Sequence, residues 1–501
     1  MTTPIENLKK LLGEVADLHY TAALLNWDHQ VNMPPGGARP RAMQLATISR
    51  IAHDNFVSEE MGQAIESAKQ AVGDLDADSD DARLVKKTDH DYLKEIKVPS
   101  DWVADFSRIT ALAHGEWEKA REQSDFSIFE PHAKEIIGLR QQYADFFKPY
   151  DHPYDPLLDD YEPGMKSAQV KSVFDALKPF QIELVRAILE EGEPVDDGIL
   201  HLNYEIQKQW DFGVEVIKDI GYDFENGRQD KSTHPFTTSF GITDVRITTR
   251  FDPNFLNTAI FGTLHEAGHA MYEQGIRTEL DRTPLAAGTS LGMHESQSRM
   301  WENLVGRSKT FWKAYLPKLK EYFPDQVGDV NVDDFYRAIN KVERSFIRVE
   351  ADEATYNLHI MLRFDLEMAM MVGSLAVKDL PEAWDEKFEH FFGVRPPDDA
   401  KGVLQDVHWS SGLVGYFPTY ALGNLIASQL WERIHEDLPD LQAQIEQASF
   451  DNLLEWLREH IHQHGSKYEP MELLNRVTGS GLEAGPYMRY LETKFKEIYD
   501  L

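Results

Sequence analysis

Three observations predict a mainly α-helical chain. Apolar residues recur three or four positions apart, as in Leu8-Leu11-Leu12-Val15, Phe174-Leu177-Phe180-Ile182 and Leu453-Leu454-Trp456-Leu457, with charges between them. Segments that alternate with a period of two are scarce. The polar breaks at 73–81, 153–163 and 223–233 are too short to serve as interdomain linkers, so the 501 residues read as a single domain.

Composition narrows the classes of function. With 42% hydrophobic and 27% charged residues the chain is globular. It carries 51 Lys and Arg against 85 Asp and Glu, a net charge of −34. A field of that sign repels phosphate backbones and anionic lipid, which argues against nucleic-acid or membrane-surface partners. The absence of cysteine removes disulfides, thiolate nucleophiles and Cys-type zinc sites, and suits the cytosol. The amino terminus lacks the basic-then-apolar layout of a secretion signal, so a soluble cytoplasmic protein is expected. The stretch 407–431 has no Asp, Glu, Lys or Arg, but Gly412, Gly415, Pro418 and Gly423 interrupt it. It reads as a buried wall rather than a membrane span.

In chain order, the first informative segment is 244–251, where Val245, Ile247 and Phe251 alternate with Arg246, Thr248 and Arg250. This predicts a strand, and its edge would suit pairing with an extended peptide. Arg246 and Thr248 are expected to hold the strand in place. Asp252-Pro253-Asn254 is a helix-start signal, and 255–274 reads as an almost wholly apolar helix.

That helix contains His265-Glu266-Ala267-Gly268-His269, an H-E-x-x-H pentad. Residues four apart lie above one another on a helix, so both imidazoles reach one metal ion. Glu266, rotated by about 100°, flanks the ion, where it suits a general base acting on water. Two histidines and a glutamate on a buried helix would otherwise leave costly unpaired polar groups. Two solvated histidines on a surface helix are the alternative. A catalytic zinc needs a third ligand and an open position. Glu295 is the best downstream candidate. The first helix ends near Gly275, a loop runs through Pro284 and Gly288, and a second, antiparallel helix begins near Ser290. Read alone, Glu295 would be an early-turn acid complementing the helix dipole.

His265 to His269 followed by His294-Glu295-Ser296-Gln297 resembles the carboxypeptidase Taq family of metallocarboxypeptidases. Asp244-Val245-Arg246-Ile247-Thr248, Ile347-Arg348-Val349-Glu350-Ala351-Asp352 and Gly402-Val403-Leu404-Gln405-Asp406-Val407-His408-Trp409 are similar to further motifs of that family, as are the stretches 27–38 and 154–164. The resemblance spans nearly the whole chain. It implies an elongated helical fold similar to neurolysin and angiotensin-converting enzyme, with two lobes flanking a long groove and a small sheet beside the active-site helix. It also implies a homodimer, one zinc or cobalt ion, and release of single carboxy-terminal residues from peptides with broad specificity and poor release of Pro. Many zinc proteases with a Glu ligand place an Asp four residues later to support a ligand. Here that position is Arg299, so the group that orients His265 or His269 is left open.

Within this reading His265, His269 and Glu295 are the metal ligands and Glu266 is the general base. His234, Tyr416 and Tyr420 are candidate donors to the oxyanion, although wall packing explains a Tyr equally well. Arg348 is the candidate reader of the substrate carboxylate, assisted by Gln405 or His408. A surface ion pair with Glu350, Asp352 or Glu353 is the alternative for Arg348. Two other functions share these residues: an endo-acting oligopeptidase without a carboxylate clamp, and a metal-stabilised peptide-binding protein without turnover. Three further patterns are set aside. Asp74 to Val85 lacks the Gly and Glu of a calcium loop. His460 and His464 abut a helix stop, and Gly479 to Gly485 reads as a turn.

Overall fold

In a computed structural model, which describes residues 3–501, the chain is helical almost throughout. Of the first four helices, Pro4–Val31, Ala38–Phe56, Glu59–Val72 and Asp80–Lys97, all but Ala38–Phe56 are started by polar side-chain caps. The Thr3 and Glu6 side chains each bond the other's backbone N–H, and the Ser58 and Ser79 hydroxyls accept from Met61 and Ala82 N–H. Leu8, Leu12, Val15, Ile65 and Leu84 form a small core of their own, joined by Ile276 and Leu285. A second, much larger core holds most buried apolar residues from Ile109 onward. It includes Phe174, Leu177 and Ile182 of helix Ser167–Glu191, and Leu453, Leu454, Trp456 and Leu457 of helix Asp451–His460. A cleft of about 810 Å³ separates the first helices from the rest, walled by Leu12, Tyr20, His53, Trp102, Asp159 and Pro284 among others.

Three strands form one sheet: β1 (Gly227–Lys231), β2 (Thr237–Ser239) and β3 (Val245–Thr249), in the order β1-β3-β2. The segment expected to be a strand is therefore β3, but it is the centre of the sheet and not its edge. It pairs parallel with β1, Gly227 opposite Val245, and antiparallel with β2, Thr237 opposite Ile247. Its ladder is already used on both sides, so the free edges belong to β1 and β2. The polar break at 223–233 contains β1. Its run Gly-Arg-Gln-Asp-Lys has no apolar alternation, so pairing with β3 overrides its weak propensity. Arg246 lies 4.5 Å from the Trp27 ring and 4.8 Å from the Phe240 ring, and its guanidinium pairs with Asp244. The Thr248 hydroxyl accepts from the Phe236 N–H at 3.0 Å and bonds Ser232 Oγ at 2.7 Å, fixing the β1–β2 loop.

The helix after β3 spans Leu256–Gln274, one residue shorter than expected, because an Asp252–Asn254 turn precedes it. It packs antiparallel to helix Leu291–Arg299: Leu264 faces Gly306, Gly268 faces Ser298, and Tyr272 faces His294. Ser290 caps the second helix, accepting from Met293 N–H at 3.0 Å. On its other side lies Pro418–Asp437, the helix of the charge-free stretch, buried from Ala421 to Leu430. Two glycines permit this layering. A Cβ at Gly268 would stand 2.7 Å from Ser298 Cα, and one at Gly423 would stand 2.6 Å from Glu295 Cβ.

Candidate metal centre

The two packed helices bring His265, His269 and Glu295 together. His265 Nε2 is 3.7 Å and His269 Nε2 3.5 Å from Glu295 Oε2, and one donor atom from each residue lies within 4.8 Å of the others. Two imidazoles and a carboxylate suit a zinc-like divalent ion with a position left for solvent. The outer nitrogens fit the same purpose. His265 Nδ1 is 2.9 Å from Glu302 Oε2, and His269 Nδ1 is 2.7 Å from His294 Nδ1, so both Nε2 atoms remain free to face Glu295.

Charge around the three groups is balanced. Burial alone would raise the Glu295 carboxyl, but Arg299, His265 and His269 hold it well below the usual carboxylate range. Arg299 Nε donates to Glu295 Oε1 at 2.7 Å, and its Nη1 donates to Glu302 Oε2 at 3.2 Å. Burial works against ionised Glu302 as well, yet Arg299, His265 and Arg307 bring it down to about 2. Burial lowers His269 to about 3, which keeps its ring neutral and able to coordinate.

Arg299 thus supports the carboxylate, while Glu302, not a residue four positions after Glu295, orients His265. Sequence reasoning missed Glu302. Positions 295, 299 and 302 share one helical face, which was an available signal. The turn Met300–Val305 is a π-helix, however, and its wider winding sets where Glu302 points.

Glu266 is buried, and burial raises its carboxyl above the ordinary value. Its Oε2 accepts from Thr237 Oγ1 at 2.7 Å, and the same hydroxyl lies 3.0 Å from the Glu266 carbonyl oxygen. Thr237 stands on β2, one of the two edge strands, a contact that no local pattern announces.

The remaining candidates divide into two groups. Tyr416 and Tyr420 pack edge-to-face at 5.3 Å, and both feel the Glu295 charge. The Tyr420 hydroxyl is 3.2 Å from His408 Nε2, and its ring is 4.9 Å from the Arg348 guanidinium. Arg348 is buried, not on a helix surface. Its Nε and Nη2 donate to Asp406 Oδ1 at 3.0 and 2.9 Å, and its Nη1 donates to Tyr356 OH at 3.0 Å. Gln405 is engaged with backbone. It accepts from Arg348 N–H at 2.8 Å and donates to the carbonyls of Phe346, Lys401 and Gly402. His234 is exposed on the β1–β2 loop, where its carbonyl accepts from Ser232 Oγ.

Two more segments reach the centre. Tyr161 and Glu162 hold the first turn of helix Leu291–Arg299: the Tyr161 carbonyl accepts from Leu291 N–H at 3.1 Å, and Glu162 Oε1 accepts from Gly292 N–H at 2.5 Å. Asp159, Asp160 and Pro163, which flank Tyr161 and Glu162 in the chain, line the 810 Å³ cleft. The His460 and His464 rings pack at an angle against Trp456 and Tyr468, whereas His462 between them lies 2.9 Å from Gln297 Oε1.

A buried helix bearing H-E-x-x-H, antiparallel to a helix that offers a glutamate, defines an H-E-x-x-H metallopeptidase. Residues 7–495 match the carboxypeptidase Taq (M32) metallopeptidase family, and the chain belongs to it. It is 41% identical to thermostable carboxypeptidase 1 of Thermus thermophilus, over 99% of this chain and 98% of that protein. It is 38% identical to carboxypeptidase 1 of Bacillus subtilis, over 98% of this chain and 97% of that one. The M32 carboxypeptidase structure from Deinococcus radiodurans superposes with a TM-score of 0.97 at 39% identity, covering 99% of this chain and 100% of that one. This chain is accordingly a metal-dependent carboxypeptidase.

Proposed function

We propose that the enzyme removes single residues from the carboxyl end of peptides, with broad specificity and poor release of Pro, using one divalent ion held by His265, His269 and Glu295. Zinc is the metal most compatible with that donor set, and cobalt is a workable substitute. The observation that carries the reading is Glu266 standing buried beside three converging donors.

The ion supplies Lewis acidity toward the scissile carbonyl and toward water. Glu266 takes a proton from the attacking water and returns it to the departing amine. Thr237 steadies the carboxylate while it is ionised. Tyr416 and Tyr420 offer hydroxyls where negative charge develops, and His234 is the third candidate donor. Arg348 reads the terminal carboxylate through the N–H groups that Asp406 and Tyr356 leave over. Gln405 fixes the Arg348 backbone, and His408 supports Tyr420. The cleft between the first four helices and the rest serves as the groove between two lobes of a single domain. The protein acts as a cytoplasmic homodimer.

Substituting Glu266→Gln tests the base role. Metal stoichiometry should stay at one ion per chain while hydrolysis falls by several orders of magnitude; undiminished turnover would remove Glu266 from the mechanism. Amidating the peptide carboxyl end tests the exopeptidase reading. Cleavage should be abolished, whereas equal cleavage of the amidated peptide means an endopeptidase.

A further inference from the structure

Behind His269 lies a second hydrogen-bonded pair to which the catalytic reading assigns no role. His269 Nδ1 is 2.7 Å from His294 Nδ1, and His294 Nε2 is 2.7 Å from Glu273 Oε1. All three side chains are largely buried. The His294 ring is confined by Tyr272, with centroids 5.1 Å apart.

A contact between two ring nitrogens is a hydrogen bond only if one carries the hydrogen and the other a lone pair. An ionised carboxylate only accepts, so the hydrogen on His294 sits on Nε2, facing Glu273. In a neutral ring that leaves a lone pair on His294 Nδ1. The hydrogen in the shared contact therefore belongs to His269 Nδ1, and the His269 Nε2 lone pair faces Glu295 Oε2.

We propose that His294, oriented by Glu273, is the positioning residue that fixes His269 in its metal-ligating tautomer. The proposal rests on the metal reading above. It makes the two histidines chemically unlike: His265 leans directly on a carboxylate, Glu302, whereas His269 leans on an imidazole that a carboxylate holds in turn. The arrangement comes from the same helix pair as the ligands, since Glu273 lies one turn beyond His269 and His294 immediately precedes Glu295.

The test is a titration of metal-free full-length protein with Zn2+ against a chelating competitor, with thermal unfolding of each metal-free variant as the control for folding. The wild type should bind one ion. His294→Phe should bind about 10–100-fold more weakly, the range seen when partners of metal-ligating histidines are removed. His294→Asn, whose Oδ1 accepts near the former Nδ1 position, should regain most of that affinity. Glu273→Ala keeps the ring but frees its tautomer and should fall between. His294→Phe and Glu273→Ala proteins that unfold like the wild type yet bind Zn2+ within twofold of it would overturn the proposal, as would His294→Asn binding no better than His294→Phe. Should His294→Phe fail to fold, Glu273→Ala decides alone: severalfold weaker binding supports the proposal and unchanged binding overturns it. A wild-type protein that binds no stoichiometric ion fails the metal reading itself, and this proposal with it.

Discussion

At the scale of single residues, contacts made across elements decide how each candidate group is held. The H-E-x-x-H spacing is legible because a helix has only one way to stack residues four apart, and Glu295 is legible because the intervening turn residues place a second helix start at Ser290. Glu302 and Thr237 are not, since one depends on a π turn and the other on the pairing of β2 with β3. Thr237 carries a prediction. Its hydroxyl is the donor to the buried Glu266 carboxylate, and a hydrogen bond to a charged group contributes about 1.5–3 kcal/mol. Thr237→Val should therefore lower kcat by about 10–100-fold with metal content unchanged, and Thr237→Ser should restore most of it. Steady-state kinetics beside metal analysis checks this, and a fully active valine variant would detach Thr237 from the base.

At the scale of elements, the site is a stack of three helices whose spacing is set where side chains are missing. In the sequence Gly268 is an unspecified position of the H-E-x-x-H pentad and Gly423 a break in the charge-free stretch 407–431. Their meaning appears only when helix Leu291–Arg299 is seen pressed between them. Gly268→Ala should push Ser298 outward, destabilising the fold by about 1–3 kcal/mol as overpacking does, and lowering metal affinity by misplacing Glu295. Denaturant unfolding of the apo form and Zn2+ competition measure the two effects separately. A strand edge was expected at 244–251, but that segment is the sheet's centre. The cause is β1, a polar run with no pattern of its own that gains stability only by pairing with β3. Local periodicity cannot report a partner of that kind.

For the whole molecule, the helical class was open to reading from periodicity. The separate core of the first four helices and the cleft beside it were not, because both arise from contacts between segments far apart in sequence. Two buried acids tie distant segments together and give stability a pH signature. Burial raises Glu162, at the start of the ligand-bearing helix, to about 8. Burial likewise raises Glu367 to about 7, where it accepts from Tyr154 OH, Trp409 Nε1 and Gly415 N–H. A carboxyl raised in the folded state contributes stability that is complete below its unfolded value near 4.5 and is lost as pH rises through the folded value. Apo-protein stability should thus carry a component that declines between pH 4.5 and 8. That component should shrink in Glu162→Gln, which keeps an acceptor for Gly292 N–H. Chemical unfolding across that pH range would show it, and identical slopes in both proteins would remove Glu162 as a source.

The central claim is that one divalent ion sits between the two packed helices, bound by His265, His269 and Glu295 with one position open. Anomalous diffraction from crystals of zinc-loaded enzyme tests it most directly. The predicted result is a single strong peak at about 2.0–2.2 Å from both Nε2 atoms and a Glu295 oxygen, with solvent completing the coordination. A peak held by other residues, or one fully enclosed by protein ligands, would contradict it.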